Sequence, residues 1–146
     1  MTAAEIVIHP NETLRTVCEP VEAFGDEIGQ IIQTMRATMA AAAGIGLAGP
    51  QIGITRRIAL VGKFAMINPE IVWRSEAQTV LDEGCLSIPG SRTRVLRPSS
   101  VEVEYFDISG LKKKIRLNGI MGRCALHEID HLDGILIIDR EFAEAA

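Results

Sequence analysis

The sequence lacks an excess of positive charge: 15 lysines and arginines stand against 19 aspartates and glutamates, a net charge of −4. Its one basic run is Lys112-Lys113-Lys114, so it carries no electrostatic footprint for a phosphate backbone, and nucleic acid is not expected as a direct partner. Unbroken hydrophobic runs are also missing. The most apolar stretch, Met39 to Ile54, is interrupted by Gly44, Gly46, Gly49, Pro50, Gln51 and Gly53, so neither a spanning helix nor a membrane partner is expected. Met1-Thr2-Ala3-Ala4-Glu5 has no basic stretch leading into an apolar run and does not read as a secretory signal. Three widely spaced cysteines, Cys18, Cys85 and Cys124, form no disulfide framework; an odd set fits a reducing, cytoplasmic setting better.

What is present suffices for a core. Hydrophobic residues make up 47% and charged residues 23% of 146 positions, which excludes intrinsic disorder and suits a single domain over residues 1–146. Ile28, Ile31, Ile32, Met35 and Met39 recur at helix spacing within residues 24–43, predicting an amphipathic helix with Asp26 as its N-cap. The glycines from Gly44 to Gly53 end that helix and predict a shaped loop. Short strands are expected at 57–61, 64–67 and 71–74, with Gly62 and Asn68-Pro69 as turns between them. Val101, Val103 and Tyr105 alternate with Glu102 and Glu104 as a half-buried strand requires, and Asp107 to Gly110 turns the chain into a partner at 113–117. A second helix starts near Asn118, carries Ile120, Cys124, His127 and His131 on one face, and stops at Asp133-Gly134. The expected fold class is α+β, with small antiparallel sheets packed around a central helix bearing an HExxH pattern and an amphipathic helix towards the N-terminus.

That pattern is His127-Glu128-Ile129-Asp130-His131. Residues four apart on a helix lie one turn above each other, so both imidazoles can face one metal ion while Glu128 serves a water. A polar helix with two structural histidines fits the same residues. A hydrolytic metal site needs a third protein ligand and an open position. The zinc-protease pattern HExxHxxGxxH is broken, because Gly134 is in place but Ile137 stands where the last histidine belongs. Fifteen residues follow His131, too few for a separate helix to return a ligand. Upstream, Glu83-Gly84-Cys85-Leu86-Ser87 is the best source: a thiolate suits a borderline-soft metal, and Gly84 lets backbone approach. Cys85 would otherwise be a small buried hydrophobe, as Cys18 and Cys124 are taken to be. The loop Gly44 to Gly53 allows backbone to approach an extended peptide, and Gln51, its one polar side chain, can offer an amide N–H to a developing oxyanion. A tight connection is the plainer alternative; a phosphate cradle is disfavoured by the absence of the P-loop Lys and Ser/Thr.

Taken together and in this order, Gly44-Ile45-Gly46-Leu47-Ala48-Gly49-Pro50-Gln51, Glu83-Gly84-Cys85-Leu86-Ser87 and His127-Glu128-Ile129-Asp130-His131 resemble the three motifs of the peptide deformylases. The likeness extends through His9-Pro10 to Leu14-Arg15, Ile67-Asn68-Pro69-Glu70 and Ile88-Pro89-Gly90, covering nearly the whole chain. The resemblance implies a metal-dependent hydrolase that removes the N-formyl group from the initiator methionine of new polypeptides and releases formate. It implies one divalent ion, natively Fe(II) with zinc or nickel as substitutes, held by Cys85, His127 and His131. Glu128 takes the general-base role, and the Gln51 side chain and the Leu86 backbone N–H hold the oxyanion. Backbone of Ile45 and Gly46, with Arg92, would contact the substrate. The implied partners are N-formylmethionyl peptides and nascent chains, and the implied setting is the cytoplasm.

Two positions depart from the family pattern: Gly49 stands where a second alanine is usual, and Leu126 replaces the glutamine before HExxH. On composition alone Gly49 is expected to loosen its loop, so that alanine there would keep activity and could stabilise. The link between Val61 and Phe64 is shorter than usual, and no counterpart of the family's C-terminal helix follows, so ribosome docking through that helix is not expected. Two rival readings are a deformylase-like protein that holds peptides with little turnover, and a zinc metalloprotease, the latter disfavoured by Ile137.

Overall fold

A computed structural model describes residues 2–143. The apolar stripe forms α1 (Asp26–Ala41), which buries Ile28, Ile32 and Met35. Gly25, not Asp26, is its N-cap, and no side chain closes the helix start. Asp26 and Glu27 lie instead in the first turn, where their charges face the positive end of the helix dipole. The chain continues through β1 (Gly46–Ala48), β2 (Ile58–Val61), β3 (Phe64–Arg74), β4 (Gln78–Cys85), β5 (Ile88–Pro98), β6 (Ser100–Phe106), β7 (Lys112–Asn118) and α2 (Gly119–Leu132). One antiparallel sheet has the order β1-β2-β3-β6-β7, and β4 and β5 form a separate hairpin. No helix among the described residues is long and apolar enough to cross a membrane.

The period-two geometry of β2 decides where the core lies. Ile58 and Leu60 face α1, packing with Ile28, Ile32 and Met35, whereas Val61 faces the side of the sheet where Cys124, Ala125, Leu126 and Ile129 of α2 pack. A strand covered on both faces must be apolar throughout, and Ile58–Val61 is fully buried. β1 obeys the same alternation: Leu47 joins the α1 side, while Ala48 packs with Leu132 of α2. Gly46, two residues before Ala48, therefore also faces α2.

Three local expectations need correction. Residues 44–53 are not loop throughout, because they contain β1 and a 3-10 turn, Gly49–Ile52. The strands expected at 64–67 and 71–74 are one strand, β3. Asn68-Pro69 makes a bulge in it rather than a turn: Asn68 has φ 52°, and the register with β6 shifts between Ile67 and Glu70. The Asn68 carboxamide is used elsewhere, accepting from Val21 N–H at 2.8 Å and donating to the Val21 carbonyl at 2.9 Å. The β4–β5 hairpin has no strong alternating signal, since most of its outward positions are charged or polar. Its main-chain ladder runs from Gln78 opposite Pro98 to Gly84 opposite Arg92.

Gly49 is fully enclosed, and a Cβ there would meet the Ile54 carbonyl oxygen at 2.5 Å and that of Arg56 at 3.0 Å. Backbone atoms cannot swing aside as a side-chain end can, so the expectation of a loosened, alanine-tolerant position is overturned. Gly49→Ala should cost about 1–3 kcal/mol through overpacking, seen as a lower denaturation midpoint; a variant as stable as its parent would contradict this.

Candidate metal centre and active cleft

The end of β4 and one face of α2 meet at the candidate site. The ligand atoms of Cys85, His127 and His131 all lie within 4.8 Å of one another, and Cys85 Sγ is 3.3 Å from His131 Nε2. His131 is buried, while Cys85 and His127 stay partly accessible. The remaining cysteines behave as expected of small buried residues, with burial pushing the thiols of Cys18 and Cys124 up and leaving them unreactive.

Behind His127 stands Glu83, a residue whose role in the motif is not apparent from sequence. Its carboxylate accepts from Arg97 Nε at 2.6 Å and Nη2 at 3.0 Å, from Arg123 Nη1 at 2.6 Å, and contacts His127 Nδ1 at 3.0 Å. Burial disfavours its charged form, but the hydrogen bonds from His127 and Arg97 and their charges outweigh it, holding the carboxyl down to about 2. A folded-state pKa below the ordinary 4.5 means that this network stabilises the fold above that pH and loses its contribution as pH falls towards about 2. A carboxylate that accepts from Nδ1–H holds the ring and leaves Nε2 as the nitrogen that could take a metal ion. Arg97 and Arg123 carry no sequence pattern that marks them. Only the fold brings them from β5 and α2 to one carboxylate.

The two imidazoles are shifted in opposite directions. Burial lowers the His127 pKa, yet the charge of Glu128 and hydrogen bonds to Cys85 and Glu83 raise it to about 10. His131 is pushed down to about 3 by burial, then by the charges of His127 and Arg97. Burial raises Glu128 to about 7 against the pull of His127 and Arg97. Glu128 Oε1 and His131 Nδ1 are buried without a hydrogen-bond partner among the described residues. A thiolate and two imidazoles form a borderline-soft donor set suited to a transition metal, and an unpartnered buried carboxylate oxygen beside it suits a water or substrate group. The residues therefore fit a metal ion.

A cavity of about 1100 Å³ opens over this centre, and Ile45, Gly46, Gln51, Leu86, Arg92 and Glu128 all line it. Ile45 gives its carbonyl to Gly62 N–H at 2.8 Å. Gly46 is required by close approach, since a Cβ there would lie 2.5 Å from Cys124 Sγ and 2.6 Å from Glu128 Oε2. Arg92 is exposed and donates from Nη2 to the Asp82 carbonyl at 3.1 Å. Leu126 faces the core beside Ala125 and Ile129 rather than the cleft, so this departure from the family pattern leaves the lining unchanged.

Residues 3–144 match the family model for polypeptide deformylase. The chain belongs to the peptide deformylase family. A peptide deformylase of Pelagibacter ubique is 38% identical over 148 residues, covering 95% of this chain and 86% of its own length. The crystal structure of the Thermotoga maritima peptide deformylase has a TM-score of 0.94 at 35% identity, covering 98% of this chain and 100% of that one. A class I type b peptide deformylase from Acinetobacter baumannii, crystallised with Met-Ala-Ser bound, has a TM-score of 0.91 at 29% identity, covering 95% and 98%. Membership assigns the chain a metal-dependent deformylase activity, and the α+β fold of antiparallel sheets and two helices agrees with it. The metalloprotease and binding-only readings give way to it.

Two outcomes follow from the geometry. Gly46→Ala should press on Cys124 Sγ and on the Glu128 carboxylate, costing about 1–3 kcal/mol through overpacking and lowering formate release roughly tenfold or more in the folded protein; unchanged turnover would mean that the Glu128 side chain relocates without consequence. Cys85→Ser should weaken metal binding and alter the spectrum of the cobalt-substituted protein, because a hydroxyl is a poorer ligand than a thiolate; an unchanged spectrum would remove Cys85 from the site.

Proposed function

We propose that this chain hydrolyses the formyl amide of N-formylmethionyl peptides, nascent chains among them, in the cytoplasm. Cys85, His127 and His131 would hold one divalent ion, natively Fe(II) with zinc or nickel able to replace it. The observation that carries this reading is the convergence of those three ligand atoms within 4.8 Å beside the buried carboxylate of Glu128. When bound, the ion supplies positive charge that polarises a carbonyl oxygen and makes a water easier to deprotonate.

The chain's own groups do the rest. A peptide entering along β1 would meet the Ile45 N–H and the backbone of Gly46, with Arg92 also lining the cleft. Glu128 takes the proton of the attacking water at its unpartnered Oε1 as the water oxygen bonds to the formyl carbon. The negative charge that develops on the formyl oxygen receives N–H donors from Gln51 Nε2 and the Leu86 backbone. As the C–N bond breaks, Glu128 returns the proton to the departing amine, so formate and a free amino terminus leave. The low exposure of Glu128 supports a single carboxyl group serving both steps, since bulk water does not compete for its proton.

Glu128→Ala should keep fold and metal content while losing about 10²–10⁴ in turnover, the usual worth of a positioned acid–base group. Formate release from formyl-Met-Ala-Ser, with metal content measured on the same sample, reads this directly. Near-parent release would exclude the proposed role of Glu128.

A further inference from the structure

Gln51 is 2% exposed, yet every polar atom of its side chain is engaged. Ala48 N–H donates to Oε1 at 2.9 Å. A backbone N–H can only donate, so the carboxamide oxygen must face Ala48 and the nitrogen must face the other way. There, Nε2 donates to Ser87 Oγ at 3.1 Å, and its second N–H points to Cys85 Sγ at 3.8 Å. Sulfur at that distance is a weak acceptor, so this second N–H is the one available to an oxygen arriving at the metal-ligand cluster.

We infer that Ser87 is the positioning residue that aims the Gln51 amide into the cleft. The inference rests on the proposed role of Gln51 as an oxyanion donor. Ser87 is fully buried and belongs to the turn after Cys85, so it couples the orientation of the amide to the segment that carries the thiolate. Its hydroxyl takes one of the two amide protons and thereby fixes the plane and rotation of the group. The residue is itself held: His9 N–H donates to the Ser87 carbonyl at 2.9 Å, and Val7 N–H donates to the Gln51 carbonyl at 2.8 Å. One short segment near the N-terminus thus ties the backbones of both partners to each other. Without the hydroxyl, a buried amide proton loses its acceptor and the group is released to rotate towards others.

The test is a double-mutant cycle between Ser87 and Gln51. It uses the metal-loaded enzyme and formyl-Met-Ala-Ser, with metal content and thermal midpoint recorded for each variant. Ser87→Ala should lower kcat about tenfold with little change in KM, and should have almost no further effect in a Gln51→Ala background. Ser87→Cys keeps the branch of the side chain with a modest gain in size but is a poor acceptor, so, where metal content stays at the parent value, it should give the same kcat loss and carries the test if Ser87→Ala does not fold. A second readout is independent of turnover: in the metal-free protein, the Gln51 side-chain amide protons should be slowly exchanging by NMR and lose that protection in either Ser87 variant. Parent-like kcat in Ser87→Ala and Ser87→Cys, or an equal loss with and without Gln51, overturns the inference. If Gln51→Ala itself keeps parent kcat, the oxyanion role fails instead, and the two failures are told apart by that single variant.

Discussion

The structure depends on one buried carboxylate. Glu83 is 5% exposed and ionised between Arg97, Arg123 and His127. Removing one member would strand charges away from water, which costs far more than the paired arrangement gains. The network does not stop there: Arg97 also binds Asp130 at 2.9 Å, and Asp130 accepts from Arg140 Nε at 2.8 Å. The β4–β5 hairpin, α2 and the turn after α2 are thus tied through a chain of charges. The hairpin is a separate sheet, so this tie determines where Cys85 sits relative to His127 and His131.

A second constraint is steric and comes from β1 and β2. Alternation along these short strands gives one face to α1 and the other to α2, and Gly46 falls on the α2 face. With no side chain there, the strand backbone approaches Glu128 closely enough to form one wall of the cleft. Three residues on, Gly49 lets the chain turn against the carbonyls of Ile54 and Arg56 and brings Gln51 under Cys85. Packing and electrostatics therefore converge on the same few atoms from opposite sides.

Much of this was legible before any coordinates. The helix spacing of His127 and His131 marked two candidate ligands, and the short chain after His131 together with the chemistry of a thiolate pointed upstream to Cys85, whose ligand atom the fold brings within 4.8 Å of theirs. The stripe from Ile28 to Met39 and the alternation from Val101 to Tyr105 are periodic signals that packing enforces. What stayed hidden was non-local. Arg97 and Arg123 lie 14 and 40 residues from Glu83, and nothing in their neighbourhoods says that they share its carboxylate. The β4–β5 hairpin is stabilised by its main-chain ladder and has too few apolar residues to show a period. Asn68 reads as a turn because its left-handed conformation is common in turns, yet here it makes a bulge whose side chain serves Val21. The misjudgement of Gly49 has the same origin, because the carbonyls that exclude a Cβ come from residues five and seven positions later and are brought back by the fold.

The candidate metal centre's dependence on ionised Glu83, which holds His127 and ties the hairpin to α2, is open to experiment. It is tested most directly by the metal affinity of Glu83→Gln, measured by competition with a chromophoric chelator on protein shown to be folded. The amide keeps the size of the side chain but removes the charge that the two arginines and the imidazole share. The expected result is an affinity weaker by about 10–100-fold, as for loss of the group that orients a ligating histidine. Parent-like affinity in a folded Glu83→Gln protein would contradict the account.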